Sequence, residues 1–211
     1  MEVEKMNCVD CFKTVCENQQ FPYPEFCQTI KHEDLVQEAI DLFNNDELNS
    51  KMGIAAAQIE GNFYGKLTRV EETVIFAEKI GAKKIGIATC VGTIREARTF
   101  AKVLRNKGFE VVGAACKVGN RDKNEIGIDD KDKIHVDCYE PMCNPILQAK
   151  VLNAEKTDLN VMMGLCVGHD SLFIKYSEAP VTVLFTKDRV TGHNAVMPLL
   201  LSESYYSKIL K

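Results

Sequence analysis

No stretch of the chain approaches the roughly 20 consecutive apolar residues that a membrane-spanning helix needs. Met1 to Lys5 hold two glutamates and one lysine and lead into no apolar run, so no secretory signal is expected. A cytoplasmic protein without a membrane partner follows as the expectation. G-x-G-x-x-G and the phosphate loop are missing as well, which leaves a nucleotide site without a motif. Nor is there a basic excess: residues 1–60 carry 12 Asp or Glu against 4 Lys, and residues 61–211 carry 18 against 22. A net −8 front and a net +4 body give no concentrated basic face, so no nucleic-acid partner is expected. Low-complexity tracts are lacking too.

Cysteine is what the chain has in quantity. Nine occur among 211 residues, an odd number that fits disulfides poorly, and a reducing compartment argues for thiolate ligands or reactive thiols instead. Four crowd into the start as Cys8-x2-Cys11-x4-Cys16-x10-Cys27. A C-x2-C pair offers two sulfurs from one turn, and two more cysteines nearby complete a four-sulfur set at low loop-closure cost. Phe12, not histidine, follows Cys8-Val9-Asp10-Cys11, which excludes covalent haem attachment. One close pair followed by two singly spaced cysteines is nearer to cluster ligation than to structural zinc, so a [4Fe–4S] cluster is favoured and Zn2+ is the alternative.

The remaining pattern predicts an α/β protein: an open, mainly parallel sheet of four to five strands with flanking helices, preceded by a small cysteine-rich lobe and helices. The division expected is residues 1–30 for the lobe and 31–211 for the body. Leu35, Ala39, Leu42 and Phe43 share one helical face; residues 50–60 form a second helix around Met52, Ile54, Ala55 and Ile59; Val70, Val74 and Ala77 mark a third that stops at Gly81. Residues 84–90 read as a buried strand, a helix carries Ile94, Ala97, Ala101 and Leu104, Gly108 stops it, and a second strand runs through Val111, Val112 and Ala115. After a polar loop over 117–133, a short strand is expected at Ile134 and Val136, then a helix opened by Asn144 as N-cap and Pro145. Strands at 160–165 and 181–186, a short helix at 172–176 and a helical end over 199–210 complete the pattern.

Cys90, Cys116 and Cys166 fall at the carboxyl ends of predicted strands, and Cys143 immediately precedes a helix start. In an open parallel sheet those ends share one edge, where ligands bind at the reversal of strand order. Helix amino ends, one of them expected to be closed by a Thr93 and Glu96 capping box, lower thiol pKa values, and soft metals and clusters require thiolates. A second metal or cluster site, or a crevice for a sulfur-containing small molecule, is therefore expected at Cys90, Cys116, Cys143 and Cys166. Cys138 is the rival to Cys143. His169 and His193 are candidate proton donors, Cys166 with His169 is a candidate nucleophile and acid/base pair, and Lys187, Asp188 and Arg189 lie on the same edge. The opposing readings are small buried cysteines in a core and a solvated turn after the last strand.

With Tyr23-Pro24 before Cys27, Cys143-Asn144-Pro145, Gln148-Ala149, Leu159-Asn160-Val161, Gly164 through Asp170, Ala179-Pro180-Val181-Thr182, Lys187 through Val190 and Gly192-His193-Asn194, the chain resembles a prokaryotic family of uncharacterised cysteine-rich proteins. That family is labelled metal-binding and treated as a domain of unknown function. The resemblance implies metal binding and no particular reaction.

Three functions remain in play. An iron–sulfur protein would pass electrons from the Cys8, Cys11, Cys16 and Cys27 centre to the strand-end thiols for reductive or sulfur-handling chemistry, and would have an electron-transfer partner. A zinc-stapled protein would bind or sense a thiophilic metal without catalysis. A thiol enzyme would use one activated cysteine.

Overall fold

The computed structural model describes residues 6–18 and 21–211, and the expectation for Met1 to Lys5 falls outside that range. The chain divides into two compact units, Met1–Gly61 and Asn62–Lys211. Residues 31–61 fall in the first of these units.

The first unit is built from short turns and two longer helices. Helices α1 (Val15–Asn18) and α2 (Gln28–Lys31) are single turns; α3 spans Glu33–Asn45 and α4 spans Glu47–Phe63. Phe43 of α3 lies over Gly53 of α4, so closely that a Cβ there would stand 2.9 Å from its ring. The apolar face predicted for α3 exists, yet Leu35, Leu42 and Phe43 are all exposed. Periodicity reports a face, not what covers it.

The second unit contains the sheet. Helix α5 (Arg69–Lys79) starts at a capping box in which the Thr68 hydroxyl accepts from the Glu71 amide and the Glu71 carboxylate accepts from the Thr68 amide. Gly81, in the left-handed region, stops the chain after α5 as predicted. Strands β1 (Lys84–Thr89), β2 (Glu110–Ala115), β3 (Leu159–Met163) and β4 (Val181–Phe185) pair in the order β2-β1-β3-β4, all parallel. Helices α6 (Ile94–Asn106), α7 (Pro145–Ala154) and α8 (His169–Tyr176) provide or follow the crossovers. The period-2 alternation of a strand sends Ile85 and Ile87 to one face of β1 and Ala88 to the other. On that second face Ala88, Ala114, Met162, Ala149, Leu152 and Phe173 form a buried core with Cys90 and Cys116. Fully burying a leucine, methionine or phenylalanine side chain stabilises by about 1.5–3 kcal/mol.

Two predicted elements take other forms. Residues 134–138 are bends and turns, with Ile134 and Val136 exposed. The Glu140 carboxylate accepts from the amides of Ile134 and His135, so those donors are occupied by a side chain rather than by a neighbouring strand. At the carboxyl end the expected helix reduces to α9 (Met197–Leu200), turns, and a 3-10 segment at Ser207–Leu210. There the Ser204 hydroxyl bonds the Leu201 carbonyl, a local contact that competes with helix propagation. No helix among the described residues is long and apolar enough to cross a membrane.

Candidate thiol site at the sheet edge

Strand order reverses between β1 and β3, so the crevice of a parallel sheet falls at their carboxyl ends. Thr89 of β1 is in register with Ala115 of β2, and the Cys116 amide extends that ladder by donating to the Thr89 carbonyl at 2.8 Å. Cys90 and Cys116 are thus next-door positions on adjacent strands, which run about 4.8 Å apart, and their side chains share a face. Helix α7 brings the third sulfur. The Asn144 amide donates to the Cys116 carbonyl at 2.7 Å, and the Asn144 side chain caps α7 by accepting from the Leu147 amide, with Pro145 in the first turn as predicted. Cys143 is thereby set beside Cys116. Buried Gln148, one turn on, donates through Nε2 to the carbonyls of Thr89 and Ala114 and ties α7 to both strands.

Cys116 stands in hydrogen-bonding reach of both Cys90 and Cys143. Its sulfur also accepts from the Val91 amide at 3.3 Å. The hydrogen bond from Cys116 draws the Cys90 thiol down to about 5, helped by the Gly92 amide and the Lys187 ammonium and opposed by burial. Cys143 is drawn down to about 5 by the same neighbour, with Lys117 and His169 adding positive charge. Cys116 is pushed up, first by its bonds to Cys143 and Cys90 and then by burial. One S–H points at one acceptor at a time, so the outer sulfurs compete for a single proton.

Cys166 lies beyond a sharp exit from β3. Gly164 adopts φ +62°, and a Cβ there would stand 2.8 Å from the Thr93 hydroxyl and 2.9 Å from the Phe185 ring. The Cys166 carbonyl accepts from the His169 and Asp170 amides as α8 begins, and its sulfur accepts from the Arg189 guanidinium at 3.3 Å. That bond to Cys166 is the first cause holding Arg189 above its ordinary range, with the charges of Cys90 and Cys143 adding to it.

The other expected residues are placed as follows. His169, half-buried, lies near enough to Cys143 to act on its charge. The ring of His193 packs on Phe185 at 5.3 Å between centroids, and its Nδ1 accepts from the Asp188 amide, which fixes the turn after β4. Cys138 is exposed, whereas Cys143 joins Cys116. The capping box of Thr93 and Glu96 does not form, because the Thr93 hydroxyl is used by the Cys90 carbonyl and the Thr89 hydroxyl. Lys117, Gly92 and Gln148 are not among the expected site residues, although Lys117 and Gly92 closely follow strand-end cysteines and Gln148 falls in the Gln148-Ala149 string.

In the first unit, Cys8 and Cys16 are exposed and Cys11 and Cys27 half-exposed. Asn7 and Asp10 close a reciprocal cap around Cys8, and the Cys11 amide donates to the Cys8 carbonyl, the single turn that the C-x2-C spacing predicts. A hydrogen bond from the Thr29 side chain lowers the Cys27 thiol. Among the described residues, no three or more His, Cys, Asp or Glu side chains are grouped so as to hold a metal ion. At the sheet edge Cys116 links Cys90 and Cys143 in a row of three sulfurs.

The model of a family described as protein of unknown function (DUF1847) matches residues 27–184. The chain belongs to the DUF1847 family. Its match takes in Cys90, Cys116, Cys143, Cys166 and His169 and stops short of Lys187 and Arg189. An uncharacterised protein of Methanocaldococcus jannaschii is 40% identical over 206 residues, covering 98% of this chain and 99% of the relative. No solved structure matches.

Proposed function

We propose that this DUF1847 chain performs thiol-based redox or sulfur-handling chemistry at the row Cys90, Cys116 and Cys143, with Cys166 at its margin. The Cys8, Cys11, Cys16 and Cys27 set would hold a [4Fe–4S] cluster or a zinc ion. The observation that carries the reading is the placement of Cys116 between two other thiols at the strand-order reversal. Two neighbouring sulfurs make a nucleophile and a resolving thiol available without any large movement, and a thiolate rather than a thiol is the attacking species. Val91 and Gly92 offer amide donors to those sulfurs, while Lys117, Lys187 and Arg189 hold positive charge around them.

In donor type the first-unit quartet suits a soft centre, since four thiols within 20 residues include a pair on one turn. When bound, such a cluster would supply single electrons. The test is the anaerobically purified full chain: iron, acid-labile sulfide and absorption near ~400 nm support the cluster, and rapid alkylation of Cys90 or Cys143 at neutral pH supports the reactive row. Uniform slow labelling of every cysteine would overturn the thiol chemistry. A zinc-stapled chain storing a thiophilic metal is the second reading, favoured by the exposed Cys8 to Cys11 turn. Colourless protein with stoichiometric zinc, and loss of a second metal in Cys90→Ser and Cys166→Ser, would establish it.

A further inference from the structure

Gly92 lies exposed on the 3-10 turn that follows Cys90. A Cβ on Gly92 would stand 3.3 Å from the Lys187 ammonium and 3.8 Å from the Cys90 sulfur, so the missing methyl leaves a notch with a thiol and a cation as its neighbours. Gly92 has no left-handed φ, and the turn itself therefore does not require glycine. Lys117 and Arg189 bring two further cations to the same edge, beside Cys143 and Cys166. Among the described residues, none of Lys117, Lys187 and Arg189 is paired with a carboxylate. Lys117 also donates to the Pro141 carbonyl, whereas Lys187 and Arg189 face sulfur.

Resting on the thiol reading above, we infer that the notch at Gly92 admits a small sulfur-bearing oxyanion of the thiosulfate class, its oxygens on Lys187 and its outer sulfur on Cys90. The Cys90 thiolate attacks the outer sulfur, the sulfur–sulfur bond to sulfite breaks, and the bonding pair departs with sulfite. Cys90 is left as a persulfide anion, with charge and atoms conserved and no oxidant consumed. Cyanide or another thiolate then takes the terminal sulfur and restores the Cys90 thiolate. Cys116, the next sulfur in the row, is the nearest internal acceptor.

The test incubates the full anaerobic chain with thiosulfate, and in a parallel arm with inorganic polysulfide, followed by peptide mass analysis and sulfite assay. The expected result is one added sulfur on the Cys90 peptide, one sulfite released per sulfur gained, and thiocyanate on adding cyanide. Gly92→Ala and Lys187→Gln should each slow loading from thiosulfate about tenfold, while Cys138→Ser loads like the parent. Polysulfide, which has no oxyanion group, should load Gly92→Ala and Lys187→Gln nearly as well as the parent. Loading by polysulfide alone, or equal thiosulfate rates in all variants, overturns the oxyanion notch. Fast alkylation of Cys90 with no persulfide from either donor overturns the substrate class but leaves the reactive row standing, whereas slow alkylation removes the row itself.

Discussion

The two cysteine groups are held by opposite means. Cys8 and Cys11 meet across one hydrogen-bonded turn with a reciprocal Asn7 and Asp10 cap, largely in solvent. Cys90 and Cys116 meet because buried β1 and the edge strand β2 run in register, and Cys143 joins them because α7 is bonded back to Cys116. A local motif fixes spacing and leaves its sulfurs accessible. A sheet edge fixes neighbours from distant parts of the chain, and it can bury them, tune them and surround them with cations.

The comparison predicts that damage to the sheet edge costs far more than damage to the turn. Gly164→Val combines a left-handed backbone with contacts under 3.0 Å to Thr93 and Phe185, and should destabilise by about 2–5 kcal/mol in urea unfolding. A smaller loss would mean that the exit from β3 can shift. Gln148→Leu removes both side-chain bonds linking α7 to β1 and β2 and should cost about 2–3 kcal/mol. It should also change the alkylation rate of Cys143, and an unaltered rate would separate the helix anchor from the thiol row.

A milder probe concerns the loop leading to Cys143. The hydrogen bond from Lys123 holds the Glu140 carboxyl at about 2, supported by the His135 and Ile134 amides against burial. Because the native pKa is depressed, this contribution is fully present above the ordinary value of 4.5 and fades as pH falls toward 2. Glu140→Gln should flatten that part of the acid limb in a pH series of unfolding midpoints; an unchanged limb would remove Glu140 from the account. Least of all, Cys8→Ser with Cys11→Ser, which would remove two ligands of the proposed metal centre, should change the unfolding free energy of the α/β body by no more than about 0.5 kcal/mol. A larger shift would show that the turn supports the sheet.

Much of this arrangement was legible because apolar runs and helix punctuation are local signals. Residues 84–90, the α6 stripe through Ile94, Ala97, Ala101 and Leu104, and the Asn144-Pro145 start all form as read. The shared edge of Cys90 and Cys116 followed from strand ends alone. What was not legible depends on long-range partners. Glu140 takes the amides expected for a strand at Ile134, and Thr93 turns from α6 to the strand ends because β3 lies beside it. Lys187 could be placed on this edge from its position after β4, but its approach to Gly92 could not, since nothing local connects the two across the switch in strand order.

Gly86 and Asn160 face each other in the middle of the sheet, and a Cβ on Gly86 would stand 2.0 Å from the Asn160 side-chain oxygen. The amide of Asn160 is fully buried and committed to Thr157 and Ser177. Sliding β3 by a single step would set that residue opposite Ile85 or Ile87 instead of the glycine and draw it away from Ser177. The pair therefore works as a key and keyway that admits one alignment of β1 with β3, and with it one placement of the thiols at the edge above.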